Sequence, residues 1–130
     1  MDLGLKDKSA LVMASSSGLG KAIACELARE GAKVMIFSPF EDQLKEAQED
    51  IFKETGNRPE FFVGSITNPD DIKNLVRTTA EKCGPIYALV NNTGGPKPGP
   101  FDAFSDQDWQ DAYELCLLSY IRTIREVLPY

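Results

Sequence analysis

Apolar residues follow two alternating spacings along the chain. Ser9-Ala10-Leu11-Val12-Met13 is a short, nearly continuous apolar run, the pattern of a strand covered on both faces. From Gly18 the spacing turns helical, with Leu19, Ala22, Ile23 and Leu27 assigned to one face and Gly31 at a C-terminal cap. Residues 33–37 repeat the strand pattern. Phe40, Leu44, Ala47 and Ile51 then recur at helical spacing until Gly56. Glu60–Val63 reads as a third strand. Asn68-Pro69 pairs an N-cap with a proline at the first helical position, opening a helix with Ile72, Leu75, Val76 and Thr79 on one side. That helix ends at Cys83-Gly84, and Ile86–Val90 is the fourth strand.

After a Gly- and Pro-rich loop over residues 91–101, Ser105 caps a last helix that runs to about Leu128. Asp108 sits at its third position and forms an imperfect capping box. Trp109, Ala112, Tyr113, Cys116, Leu117, Tyr120, Ile121, Ile124 and Leu128 make this helix apolar on more than one side, which predicts burial by more than one neighbour. Strands and helices thus alternate, and each connection is long enough to require a crossover and a parallel sheet. The expectation is an α/β, Rossmann-like three-layer fold over residues 1–130, a single domain whose four strands lie in the order 3-2-1-4.

Composition narrows the chemistry. The 130 residues suffice to bury about two-thirds of the unfolded surface. A net charge of -6 argues against a nucleic-acid or anionic-membrane partner. No apolar run approaches the roughly 20 residues of a membrane span, and Met1-Asp2-Leu3-Gly4 does not open a signal peptide, so a cytoplasmic location is expected. Cys25, Cys83 and Cys116 are scattered without a CxxC pair, which indicates neither a zinc site nor a disulfide framework. Histidine is absent, which removes His-based triads, ligands and general bases together. Hydroxyls, amides, carboxylates and backbone remain.

The segment with most chemistry is Ala14-Ser15-Ser16-Ser17-Gly18-Leu19-Gly20, between the first strand and the first helix. Such a turn aims free backbone N–H groups and the positive helix end at an anion, and glycine lets a phosphate approach the backbone. Gly20-Lys21 is followed by Ala22, so the Walker A pattern fails. A GxGxxG pattern from Gly18 would need glycine at Ile23 and fails as well. The spacing resembles the TGxxxGxG turn of the short-chain dehydrogenase/reductase family. Gly18 and Gly20 match its last two glycines, and Met13 and Ala14 replace the usual Thr and first Gly. At that place Ala14 is expected to be strained if it takes a glycine-like backbone angle. Asn91-Asn92-Thr93-Gly94, ending the fourth strand, is similar to the family's NNAG motif. The final helix ending in Leu128-Pro129 is similar too, so the resemblance spans essentially the whole chain and extends to the 3-oxoacyl-acyl-carrier-protein reductases.

That resemblance implies a nicotinamide dinucleotide held by Ala14, Ser16, Ser17, Gly18, Leu19, Gly20, Ser38, Ser65, Ile66, Asn92, Thr93 and Gly94. Ser38-Pro39 stands where an acidic residue would select NAD, and Ser38 has a proton to offer a 2′-phosphate. The family's basic residues at Ser17 and Pro39 are absent, and Lys21 or Lys33 would act only at a distance. NADP is therefore favoured over NAD by a small margin. Ser65 stands where the family places an adenine-binding Asp, with Ile66 beside it to pack on the base.

Members of this family use a Ser-Tyr-Lys trio, with lysine four residues after tyrosine to lower its pKa. Asn91 follows Tyr87 at that distance, Leu117 follows Tyr113, and Ile124 follows Tyr120. None qualifies, so no catalytic residue is assigned, and Cys116 occupies the place of the family's helical Asn. The resemblance implies the N-terminal, nucleotide-binding half of an oxidoreductase acting on carbonyls or alcohols, truncated and not catalytic alone. A fourth strand with an open edge and a broad apolar last helix predict a homo-oligomer. The other readings are a non-catalytic nucleotide-binding or self-associating module, and an enzyme of another type built on Cys116 or Ser119.

Overall fold

Four parallel strands, β1 (Ser9–Val12), β2 (Lys33–Ser38), β3 (Glu60–Val63) and β4 (Ile86–Val90), form the sheet of a computed structural model describing residues 1–130. Their order is β3-β2-β1-β4, as the alternating pattern predicts. Val12 is paired with Ile36 on one side and Val90 on the other, and Ser38 with Val63. These registers bring the C-terminal ends of all four strands to one edge. There each chain segment leaves for its helix: α1 (Gly18–Arg29), α2 (Glu41–Thr55), α3 (Pro69–Cys83) and, after β4, the last helix.

The apolar runs of β1 and β2 divide between two faces with a period of two. Ala10, Val12, Val34 and Ile36 pack beneath α1 and α2 with Ala24, Ala28, Leu44, Ala47 and Ile51. Leu11, Met13, Met35 and Phe37 pack on the other face with Ile72, Leu75, Val76 and Cys83 of α3. The third layer on that face also takes the end of the last helix, through Val127.

Three face assignments from the sequence need correction. In α1 the buried stripe is Gly20, Ala24 and Ala28, whereas Leu19 is 70% exposed and Ala22 is also on the surface. Small residues at four-residue spacing let the helix lie close on the sheet, and Ile23 and Leu27 pack only at the flank. Phe40 precedes α2 as its N-cap instead of extending the buried Leu44–Ala47–Ile51 face.

The last helix departs most. It comprises α4 (Asp106–Tyr113), one π-helical turn over Glu114–Leu118, and α5 (Ser119–Val127). Its fully buried positions are Ser119 and Thr123, while Trp109, Tyr113, Leu117, Ile121, Ile124 and Leu128 face outward. The buried hydroxyls bond back along their own helices: Ser119 Oγ to Leu115 O (2.6 Å), Thr123 Oγ1 to Ser119 O (2.7 Å), and, across in α3, Thr79 Oγ1 to Leu75 O (2.7 Å). Satisfied this way, they can be buried where the two helices meet. The capping box is also complete rather than imperfect. Asp108 N–H donates to Ser105 Oγ (3.2 Å) and Ser105 N–H to Asp108 Oδ2 (3.0 Å), which holds the Asp108 carboxyl below the usual range.

Candidate functional site: a neutral cleft around the start of α1

Ser15 ties the turn after β1 to its neighbours. Its N–H donates to Phe37 O (3.0 Å), its hydroxyl donates to Val12 O (2.7 Å), and Phe37 N–H donates to that same hydroxyl (2.9 Å). On the other side Met13 N–H donates to Val90 O (3.0 Å). Ala14 between them has φ +49°, the left-handed angle that the sequence comparison with glycine anticipates, at a cost of roughly 1–2 kcal/mol. Its carbonyl, and that of Met13, accept from Asn92 Nδ2 at 3.2 and 3.4 Å. A Cβ on Gly20 would collide with the Ala14 carbonyl and come within 2.9 Å of Asn92 Nδ2. The turn, the first helical residues and the end of β4 therefore lock together around a position that only glycine fits.

The start of α1 is left open. Ser17 is its N-cap but makes no side-chain capping bond, and no acidic residue lies in the first turn. By contrast Asn68 caps α3 through the amides of Asp70 and Asp71. The amides of Gly18, Leu19 and Gly20 precede the first intrahelical bond, from Lys21 N–H to Ser17 O (3.3 Å). Gly18 itself has φ +58°, and a Cβ there would meet nothing within 4 Å.

These groups border a cleft of about 590 Å³. Ala14, Ser16, Ser17, Gly18 and Leu19 line it from the turn, and Phe37, Ser38, Pro39 and Phe40 from the end of β2. Ser65, Ile66 and Thr67 line it after β3, and Asn92, Thr93, Gly94 and Gly95 after β4, with Leu115 from the last helix. Of the twelve positions named from the sequence, only Gly20 is not on its wall; it supports the turn from beneath. No lining side chain is ionisable. Ser38 is 3% exposed and its Oγ accepts from Phe40 N–H (3.0 Å). Ser16 Oγ donates to Gln43 Oε1 (3.2 Å), and Ser65 N–H donates to Asp71 Oδ2 (2.9 Å). Asn91 Oδ1 and Thr93 Oγ1 are buried without a protein partner.

Neither distant lysine reaches the cleft. Lys21 pairs with Asp50 at 2.7 Å and holds that carboxyl below its usual range. Lys33 begins β2, at the opposite edge of the sheet. Away from the cleft wall, Ser119 is buried and bonded to its own helix, so it offers no nucleophile. Burial and the nearby Cys116 push the Tyr120 phenol up. A second cavity of about 530 Å³ lies between Pro96–Gly99 and α4, over Phe104 and Trp109, and shares Leu115 with the cleft.

Sequence reasoning missed Ser15 as the staple and Phe37, Pro39, Phe40, Thr67, Gly95 and Leu115 as lining residues. Continuing the Asn92-Thr93-Gly94 motif by one glycine was the only local signal for any of them.

A family model described as short chain dehydrogenase matches residues 8–130, and the chain belongs to that family. It is 31% identical to a glucose 1-dehydrogenase of Gluconobacter oxydans, over 95% of this chain and 46% of that protein. It is 33% identical to nodulation protein G of a Rhizobium species, over 95% and 49%. A 3-oxoacyl-[acyl-carrier-protein] reductase of Staphylococcus epidermidis is 29% identical over 95% and 50%. Among solved structures, L-sorbose reductase from Gluconobacter frateurii, complexed with NADPH and L-sorbose, superposes with a TM-score of 0.92 at 30% identity, covering 99% of this chain and 49% of that one. An actinorhodin polyketide ketoreductase variant with NADPH gives 0.87 at 30% identity, covering 93% and 46%. The chain spans about half the length of the relatives it matches.

Strain at Ala14 has a direct test. Ala14→Gly relieves the left-handed angle and should raise the free energy of urea unfolding by about 0.5–1 kcal/mol. An unchanged or lowered value would show that the angle costs no more than the chain flexibility that glycine adds.

Proposed function

We propose that this member of the short-chain dehydrogenase family holds a nicotinamide dinucleotide in the cleft, as the nucleotide-binding half of an oxidoreductase acting on a carbonyl or alcohol. The observation that supports it best is the uncapped start of α1 with the open face of Gly18, centred in a cleft with no charged side chain. The cleft fits such a group: a Cβ at Gly18, Gly94 or Gly95 would enter free space rather than core, and Thr93 Oγ1 lacks a protein partner. The amides of Gly18–Gly20 and the hydroxyls of Ser16 and Ser17 would hold the pyrophosphate, with Ala14 and Leu19 against it. Ser38 would hold the adenosine ribose, Ser65 and Ile66 the adenine, and Asn92, Thr93 and Gly94 the nicotinamide end. When bound, the cofactor supplies or accepts a hydride.

NADP is favoured over NAD by a small margin. Ser38 Oγ accepts from Phe40 N–H and keeps its own proton to donate, and no carboxylate lines the cleft to repel a 2′-phosphate. Both solved structures described above carry NADPH. These residues bind and orient; they do not move a proton. No tyrosine has a lysine four residues on, and Cys116 stands at the family's Asn position. Reduction by the whole protein then requires residues that these 130 do not include. No helix is long and apolar enough to cross a membrane. The net charge of -6 argues against a nucleic-acid or anionic-membrane partner, and the location proposed for the chain is the cytoplasm.

A self-associating role is the second reading, and the outward stripe of the last helix favours it. From Trp109 through Tyr113, Leu117, Ile121 and Ile124 to Leu128, the side chains are 41–78% exposed, and β4 pairs only with β1. Both surfaces suit a second copy of the chain.

Titration of the purified chain with NADPH, followed by nicotinamide fluorescence, should give micromolar binding without carbonyl-reductase turnover. Gly18→Val, which fills the open face, should weaken it at least tenfold. Turnover by these residues alone would contradict the assignment of no catalytic group. In sedimentation equilibrium the chain should run as a dimer or larger, with Leu117→Lys shifting it toward monomer. A well-folded monomer at high concentration would remove the self-association reading.

A further inference from the structure

Phe40 departs from two local rules at once. It is the N-cap of α2, where Ser, Thr, Asp or Asn would accept from the helix's free amides, yet it caps nothing. Its helical spacing with Leu44 assigns it to the core, yet the residue is 58% exposed. Neither departure helps the fold, and such conflicts concentrate at functional positions. Phe40 instead lines the cleft, together with Pro39 and Ile66.

The backbone beneath the ring is well held. Phe40 N–H donates to the buried Ser38 Oγ at 3.0 Å, and Ser38 is paired with Val63 in the sheet. Gly64 N–H donates to Ser38 O (3.1 Å), so the connections after β2 and β3 leave the sheet side by side. Phe40 stands two residues beyond Ser38 on one connection, and Ile66 three residues beyond Val63 on the other. Ser65, next to Ile66, is anchored through its amide to Asp71. Two apolar side chains on fixed stems thus border one end of a cleft that has no charge with which to grip an adenosine.

We propose that Phe40 is an adenine-binding residue, its ring a stacking platform and Ile66 the apolar wall beside it. This rests on the dinucleotide reading above and adds the source of affinity at the adenosine end. An aromatic face binds the base whether or not the ribose carries a 2′-phosphate. Phe40 therefore contributes equally to NAD and NADP binding.

Calorimetric titration of the chain with ADP, NADH and NADPH tests this. Phe40→Ser should weaken all three by the same factor, about tenfold, the scale of a lost base–aromatic stack. The same substitution should raise the melting temperature, because serine caps α2. Phe40→Tyr should retain the affinity. Phe40→Leu, apolar but without a ring and without a cap, should lose it. If Phe40→Ser binds ADP like the wild type, or loses only NADPH, the platform is overturned and the dinucleotide reading stands. If the wild-type chain binds none of the three ligands, both fall together.

Discussion

The turn between β1 and α1 must satisfy opposite demands on its two sides, and the rest of the site depends on that. Its carbonyls need partners inside the protein, while the amides at the start of α1 must stay unpaired on the outside. Asn92 answers the first demand by donating to Met13 O and Ala14 O, and the Ser15 hydroxyl donates to Val12 O while accepting from Phe37 N–H. The second is met by leaving α1 without a side-chain cap or an acidic first turn. Gly20 makes the two compatible, because no side chain fits between the turn and Asn92. Asn92 lies 78 residues from Ala14 in the chain, so the cradle forms only when β4 pairs beside β1. The order β3-β2-β1-β4 is therefore a condition of the site.

Charge plays a small part in this arrangement. Lys21, the nearest cation in α1, is engaged with Asp50, and the cleft wall is neutral. The attraction for an anion comes from the helix end and its oriented amides, which act over the first turn only. Selectivity then has to come from shape and from hydroxyl contacts such as Ser38 and Thr93. The proposed preference for NADP over NAD therefore rests on the absence of a carboxylate from the cleft wall and not on a cation.

The strands, their order and most of the cleft's lining were legible in the sequence, because buried parallel strands and glycine turns carry strong local signals. Helix faces were less legible. Gly20, Ala24 and Ala28 are weakly apolar, so the periodicity of α1 followed the bulkier Leu19, Ile23 and Leu27 and took in Ala22, although Leu19 and Ala22 lie at the surface. In the last helix the bulky residues face outward and hydroxyls face inward, an inversion that hydrophobic spacing reads backwards. The back-bonds of Ser119 and Thr123 make it tolerable. The π-helical turn over Glu114–Leu118 left no local mark, and the roles of Ser15 and Phe40 emerge only once neighbouring strands are in place.

The most direct test of the cradle is amide chemical-shift perturbation on the isotopically labelled chain during titration with NADPH. The largest changes should fall on the amides of Gly18, Leu19 and Gly20, with a second group at Thr93 and Gly94. Changes concentrated around Trp109 and the second cavity, with the start of α1 unmoved, would contradict the cradle as the seat of binding.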